Sequence, residues 1–133
     1  MKYFLDTNIC IYFLKGQHPK LLNKMMTMHP DDIKIPSMVA AELFFGAKKS
    51  VKFLKNKEMI KRFLSPFEIV PFDDISSIFY AKIRSDLEKK GGMVGPNDLI
   101  IASTVLSNQG VLITNNEKEF RRINELQVEN WIL

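Results

Sequence analysis

The chain has 133 residues, 46% of them hydrophobic, with 19 lysines and arginines against 15 acids and a net charge of +4. That length and apolar content suit one compact domain over residues 1–133, with no second domain expected. A single cysteine, Cys10, excludes an internal disulfide, and Cys10 with the two histidines cannot furnish a four-ligand zinc site.

Short apolar runs alternate with amphipathic stretches, which predicts an α/β fold of βαβ units around a mainly parallel sheet. Residues 2–5 read as the first strand, closed by Asp6. A helix over Thr7 to Lys15 follows, with Cys10 on its buried side and Gly16 suited to a left-handed C-cap. Pro19 fits the first turn of a second helix that runs to about Met28. Ile33-Lys34-Ile35 is a short strand, and Ser37 is the expected cap of a helix carrying Glu42. A basic helix over Val51 to Leu64 comes next. Phe67 to Phe72 reads as an edge strand, because Pro71 cannot donate to a ladder. Asp73 and Asp74 open a long helix that stops at Gly91-Gly92. Asn97 is expected to cap a helix through Asn108, which Gly110 ends before the buried strand Val111-Leu112-Ile113. A short helix near Glu117 to Ile123 and a strand near Val128 complete the pattern. No apolar stretch approaches the ~18 residues that span a bilayer, and Asp6 arrives too early for a secretory leader. The expectation is a cytosolic protein without membrane contact.

Four polar clusters stand out against this frame. Asp6 sits at a strand's C-terminal end, where open α/β sheets place their sites, although an Asp before a helix is also an ordinary cap. Glu42 is the only ionisable side chain between Met38 and Ala47, and stranding a buried charge costs several kcal/mol, so it has a partner or faces a cleft. Asp98 opens an apolar helix, where capping competes with function. Thr114-Asn115-Asn116 follows a strand, with Glu119 one turn beyond, and asparagines there are commonly turn formers. Carboxylates held close together repel and raise one another's pKa until a divalent cation relieves them, and an all-oxygen set suits Mg²⁺ or Mn²⁺. Such a cation can neutralise charge on a phosphodiester and supply an activated water. Metal-free mechanisms lack their parts: His18 and His29 read as surface residues remote from the acids, and no serine or cysteine has a histidine partner.

Lys48, Lys49, Lys52, Lys55, Lys57, Lys61 and Arg62 fall within fifteen residues that contain one acid, Glu58. Lys48, Lys52, Lys55 and Arg62 recur at helical spacing, giving either a solvated face or a phosphate-tracking edge beside the acids. Tyr12, Phe13 and Met25-Met26 are either core or apolar surface for a partner.

In ordered motifs the chain resembles the PIN-domain ribonucleases, and within them the VapC toxins of bacterial type II toxin–antitoxin modules. The motifs are Leu5-Asp6-Thr7-Asn8, Ala41-Glu42-Leu43 with Gly46, Pro96-Asn97-Asp98 with Ile101-Ala102, and Thr114-Asn115-Asn116 with Glu119-Phe120. The resemblance implies a three-layer α/β/α fold with a central, mainly parallel sheet of four to five strands. It implies a toxic Mg²⁺-dependent (or Mn²⁺-dependent) endoribonuclease with Asp6, Glu42, Asp98 and Glu119 as catalytic acids. Asp6 and Asp98 would ligate the metal directly, and Glu42 would act through the metal's waters or a second ion. Thr7 and Asn8 would support the first ligand, and Thr114 would bond into the cluster. Asn116 stands where many PIN domains carry aspartate, so either Glu119 substitutes or the site relies on three acids. Implied partners are an RNA substrate, a cognate antitoxin whose C-terminal segment crosses the cleft, and a second copy in a homodimer, all in the bacterial cytoplasm. Two alternatives share these features: a non-catalytic RNA-binding module, motivated by Asn116, and a metal-dependent DNA nuclease.

Overall fold

In the computed structural model, which describes all residues Met1–Leu133, Phe4 and Leu5 are fully buried and lie in the central strand of the sheet. Side chains on successive strand residues face opposite ways, so burial of both neighbours means that the sheet is covered on both faces. The strands are β1 (Tyr3–Leu5), β2 (Ile33–Pro36), β3 (Glu68–Val70), β4 (Val111–Ile113) and β5 (Gln127–Glu129). All pair in parallel in the order β3-β2-β1-β4-β5. Tyr3 stands beside both Ile33 and Val111, and Leu5 beside Ile113.

The helices are α1 (Thr7–Leu14), α2 (Pro19–Thr27), α3 (Ser37–Lys49), α4 (Phe53–Leu64), α5 (Asp74–Lys90), α6 (Pro96–Ser107) and the single turn α7 (Glu117–Phe120). The chain runs outward from β1 to β3 and back past β1 to β4, and with the usual right hand of parallel crossovers this puts α1 to α4 on one face and α5 with α6 on the other. Asp73 caps α5 by accepting from the Ser76 amide at 2.9 Å, and Gly91 ends it at φ +74°. Between α5 and α6 the Ser76 and Ser107 hydroxyls meet at 2.7 Å. Ahead of β4, Gly110 lies so close to β1 that a Cβ there would stand 2.4 Å from the Phe4 ring.

Cys10 is buried on α1, and His18 and His29 are exposed, as the pattern predicts. No helix is long and apolar enough to cross a membrane. Three local expectations fail. Ser37 does not cap α3; Pro36 occupies that position, and the Ser37 hydroxyl accepts from the Phe72 amide at 3.3 Å, tying α3 to the end of β3. Asn97 does not cap α6, whose first residue is Pro96 after Gly95. The lysine stripe is not on one helix: Lys48 belongs to α3, Lys52 precedes α4, and Lys55 lies within α4. Ser50 makes the break, its backbone extended and its hydroxyl donating to the Ala47 carbonyl while accepting from Asn56. A short polar side chain that binds nearby backbone competes with helix continuation.

Candidate active site

Strand order reverses at β1, whose neighbours are β2 on one side and β4 on the other. Loops leaving adjacent strands in opposite directions open a crevice at their carboxyl ends, the usual ligand position in open parallel sheets. Asp6 and Thr114 are the residues just beyond those two ends. The Asp6 amide donates to the Ile113 carbonyl at 2.9 Å, extending the ladder by one rung, so the Asp6 backbone is as fixed as the sheet.

Asp6 is 5% exposed and fully engaged. One carboxylate oxygen accepts from the Thr7 amide at 2.8 Å, which makes Asp6 the cap of α1, and the other accepts from the Thr114 hydroxyl at 2.7 Å. Burial raises its pKa, opposed by the Thr114 and Thr7 bonds and reinforced by the charges of Glu42 and Glu119. Thr114 also accepts from the Asn116 amide at 3.0 Å, which fixes the turn after β4.

Glu42 reaches the same crevice from α3. Thr7 donates its hydroxyl to one Glu42 oxygen at 2.5 Å, and the Asn97 amide donates to the other at 3.4 Å. Thr7 therefore binds two acids at once, Asp6 through its backbone and Glu42 through its side chain. Asn97, which the sequence presented as a helix cap, instead bridges α6 to α3; its one legible signal was its place beside Asp98.

Asp98, in the first turn of α6, faces the Glu119 carboxyl within hydrogen-bonding reach. Two carboxyls can share such a bond only when one is protonated. The Asp98 pKa is pushed up to about 7, first by burial, then by the charges of Asp6 and Glu119, the bond to Glu119, and the charge of Glu42. Glu119 is held from both sides: the Gly95 amide donates to one oxygen at 2.7 Å and the Asn116 side chain to the other at 2.5 Å. Sequence reasoning missed the Gly95 amide, because no side chain announces a backbone donor.

Asp6, Glu42, Asp98 and Glu119 are thus brought together, with Thr7, Thr114 and Asn116 bonding into the group. Asn8 is not part of it; it is exposed on α1 and makes no side-chain hydrogen bond. An α-helix turns successive residues by about 100°, so when Thr7 faces the crevice its neighbour faces away. Lys48, Lys52 and Lys55 are all exposed, and none lines the cleft at Glu42; Lys48 lies over the Phe53 ring at 4.5 Å instead. Of the apolar candidates, Met25 is core, Met26 is 79% exposed, and Tyr12 and Phe13 are half-buried.

The fold and the site together define an α/β protein with an acidic cluster at the switch point of a parallel sheet. The PIN-domain family model matches residues 3–126. The chain is 41% identical over 132 residues to the Rickettsia felis protein named ribonuclease VapC2, covering 98% of each. It is 34% identical over 131 residues to the Salmonella typhimurium protein named tRNA(fMet)-specific endonuclease VapC, again covering 98% of each. The crystal structure of Rickettsia felis VapBC2 bound to a promoter DNA fragment superposes at a TM-score of 0.92, with 39% identity over 98% of this chain and 99% of that one. The chain belongs to the PIN-domain family, in its VapC branch.

Proposed function

We propose that the protein is a divalent-metal-dependent endoribonuclease and the toxin of a type II toxin–antitoxin module. The carrying observation is the convergence of Asp6, Glu42, Asp98 and Glu119 at the carboxyl ends of β1 and β4. Four acids in one crevice, one with its pKa pushed near neutrality first by burial and then by the charges of the others, form a charge arrangement that a divalent cation relieves. The donor set is all oxygen, which fits Mg²⁺ or Mn²⁺. No three of these side chains are preset to ligate a single ion. That suits a cation bound through one or two carboxylates that keeps several waters.

In this reading Asp6 and Asp98 are the direct ligands, while Glu42 and Glu119 complete the acidic shell through water or a second ion. When bound, the cation supplies charge neutralisation at the phosphodiester and a water activated for attack. The chain's own residues set the geometry. Thr7 and Thr114 fix the two Asp6 oxygens, Asn97 and Thr7 fix Glu42, and Gly95 and Asn116 fix Glu119. Asn116 thus supports an acid instead of vacating an acidic place, so nothing favours a non-catalytic module. The family names favour RNA over DNA.

The substrate named for the Salmonella relative makes initiator tRNA the first RNA to try. The Rickettsia complex supports a cognate antitoxin as partner. We extend the reading to a homodimer acting in the bacterial cytosol, with Lys48, Lys52 and Lys55 contributing general attraction to RNA phosphates. The test is RNA cleavage with Mg²⁺, with EDTA, and in the variants Asp6→Asn and Asp98→Asn. Cleavage is expected to disappear in EDTA and in both variants while circular dichroism keeps the wild-type spectrum. Undiminished cleavage in either variant overturns the assignment.

A further inference from the structure

Helix α3 presents to the active-site crevice more than its glutamate. Met38, Ala41, Glu42, Phe45 and Lys49 are spaced by three and four residues, so they share one face of the helix. That face walls a cleft of about 530 Å³, closed on the other side by Thr7 and Asn97. Such a volume lies within the roughly 300–1,000 Å³ of small-ligand sites. Phe45 is 61% exposed one turn from Glu42, an unusual place for a phenylalanine with no core role. The Lys49 ammonium hangs 4.8 Å from the ring centroid. Ala41 and Gly46 keep the wall low, and a Cβ on Gly46 would meet nothing within 4 Å.

We propose that this cleft is a nucleobase subsite for single-stranded RNA, with the Phe45 ring as stacking platform and Lys49 pairing with the adjoining phosphate. The proposal rests on the ribonuclease reading of the same crevice and adds where the strand lies. Single-stranded nucleic acid is held by an aromatic face for the base and a cation for the backbone, and here both stand on one helix face that leads to Glu42. The groove on the opposite side of Glu42 differs in kind. Ile11, Leu14, Leu43, Ala47, Met59 and Ile60 dominate it, a lining suited to an apolar protein segment. Only the Phe45 side combines an aromatic face, a cation and polar hydroxyl and amide groups. Lys49 lies two turns along α3 from Glu42, about 10 Å, so a phosphate held there sets how far along the strand the acids act, and the stacked base would choose which bond enters the site.

The test measures anisotropy of a labelled single-stranded oligoribonucleotide in EDTA, where binding is seen without cleavage, for the wild type, Phe45→Ala, Phe45→Leu, Phe45→Trp and Lys49→Ala. Phe45→Ala and Phe45→Leu are expected to weaken binding roughly tenfold, as loss of one stacked base does. Phe45→Trp should keep the affinity, and its added fluorescence should be quenched by the RNA. Lys49→Ala should flatten the salt dependence. An abasic oligomer of equal length should bind the wild type and Phe45→Ala alike. With Mg²⁺, Phe45→Ala should raise KM more than it lowers kcat. Affinity within about twofold in Phe45→Ala, or full retention in Phe45→Leu, overturns the proposal. It also falls if Phe45→Ala changes only the sedimentation behaviour, which would make the face an interface between copies. If the wild type binds RNA through Phe45 but cleaves none, the subsite stands and the ribonuclease reading fails. If cleavage is robust and indifferent to Phe45, the reverse holds.

Discussion

Asn116 shows how one atom's change of identity alters a charge cluster. Its amide nitrogen donates to Glu119, and an aspartate in the same place would turn that bond into repulsion between two carboxylates. Asn116→Asp is therefore expected to destabilise the metal-free protein more than Asn116→Ala, by about 1–3 kcal/mol relative to wild type, the scale of a hydrogen bond to a charged group. Urea denaturation in EDTA reads this directly, and an equal or smaller loss for the aspartate would show that the bond to Glu119 is not what Asn116 supplies.

Asp98 gives a second prediction at this scale. Its carboxyl titrates near 7 in the folded state against an ordinary value of 3.8. Between those values the folded protein holds a proton that the unfolded chain has released, so stability falls as pH rises through that window. The buried carboxyl of Asp6, also raised, acts in the same direction. In EDTA the urea midpoint should drop between about pH 4 and about pH 7, and Asp98→Asn should flatten the drop. Saturating Mg²⁺ or Mn²⁺ should offset it on the alkaline side. A midpoint that rises over this range would contradict the crowding of the acids.

Elements were legible where the chain signals its own punctuation. Asp73 before α5, Gly91 after it and Pro19 at the start of α2 fix boundaries by local chemistry, and the apolar runs of β1 and β4 could hardly be anything but buried strands. The errors came where a polar residue had two uses. Ser37 and Asn97 have the composition of helix caps, but each serves another element, which only the packed structure supplies. Ser50 broke the basic stretch through its bonds to the Ala47 carbonyl and the Asn56 amide, which nothing in the run of lysines announces. Gly110 is a case where the sequence showed a helix stop but hid a second constraint. Its Cα passes so close to Phe4 that Gly110→Ala must push the central strand's ring aside, an overpacking cost of about 1–3 kcal/mol or more. Thermal or urea unfolding checks this, and a neutral or stabilising effect would mean that Phe4 has room to move.

At the scale of the whole molecule, strand order decides where the acids meet, and strand order was not written in any one segment. Parallel strands of three or four residues carry little register information, so β1 lying between β2 and β4 had to come from the three-dimensional pairing. Once that order is known, the four motifs converge without further assumption, which is why motif order along the chain was informative although each motif alone was weak. The same scale explains what Trp131 does. It is nearly buried, with its ring 5.5 Å from Tyr3 of the central strand and the Lys24 ammonium 5.6 Å above it. Trp131→Ala should cost about 3–5 kcal/mol of stability, as for other large buried aromatic side chains, measurable by denaturant unfolding. A loss below about 1 kcal/mol would show the ring to be peripheral.

The pairing of β4 with β5 reaches further than that stability suggests. The Thr114 amide donates to the Glu129 carbonyl at 3.0 Å, while its hydroxyl holds Asp6. Fraying of the outermost strand therefore loosens the residue that orients the deepest acid. Deuterium exchange at the Thr114 amide would time that fraying, and a cation that organises the acids should slow the exchange from the far side of the residue. A single peptide unit thus makes the edge of the sheet a reporter on its centre.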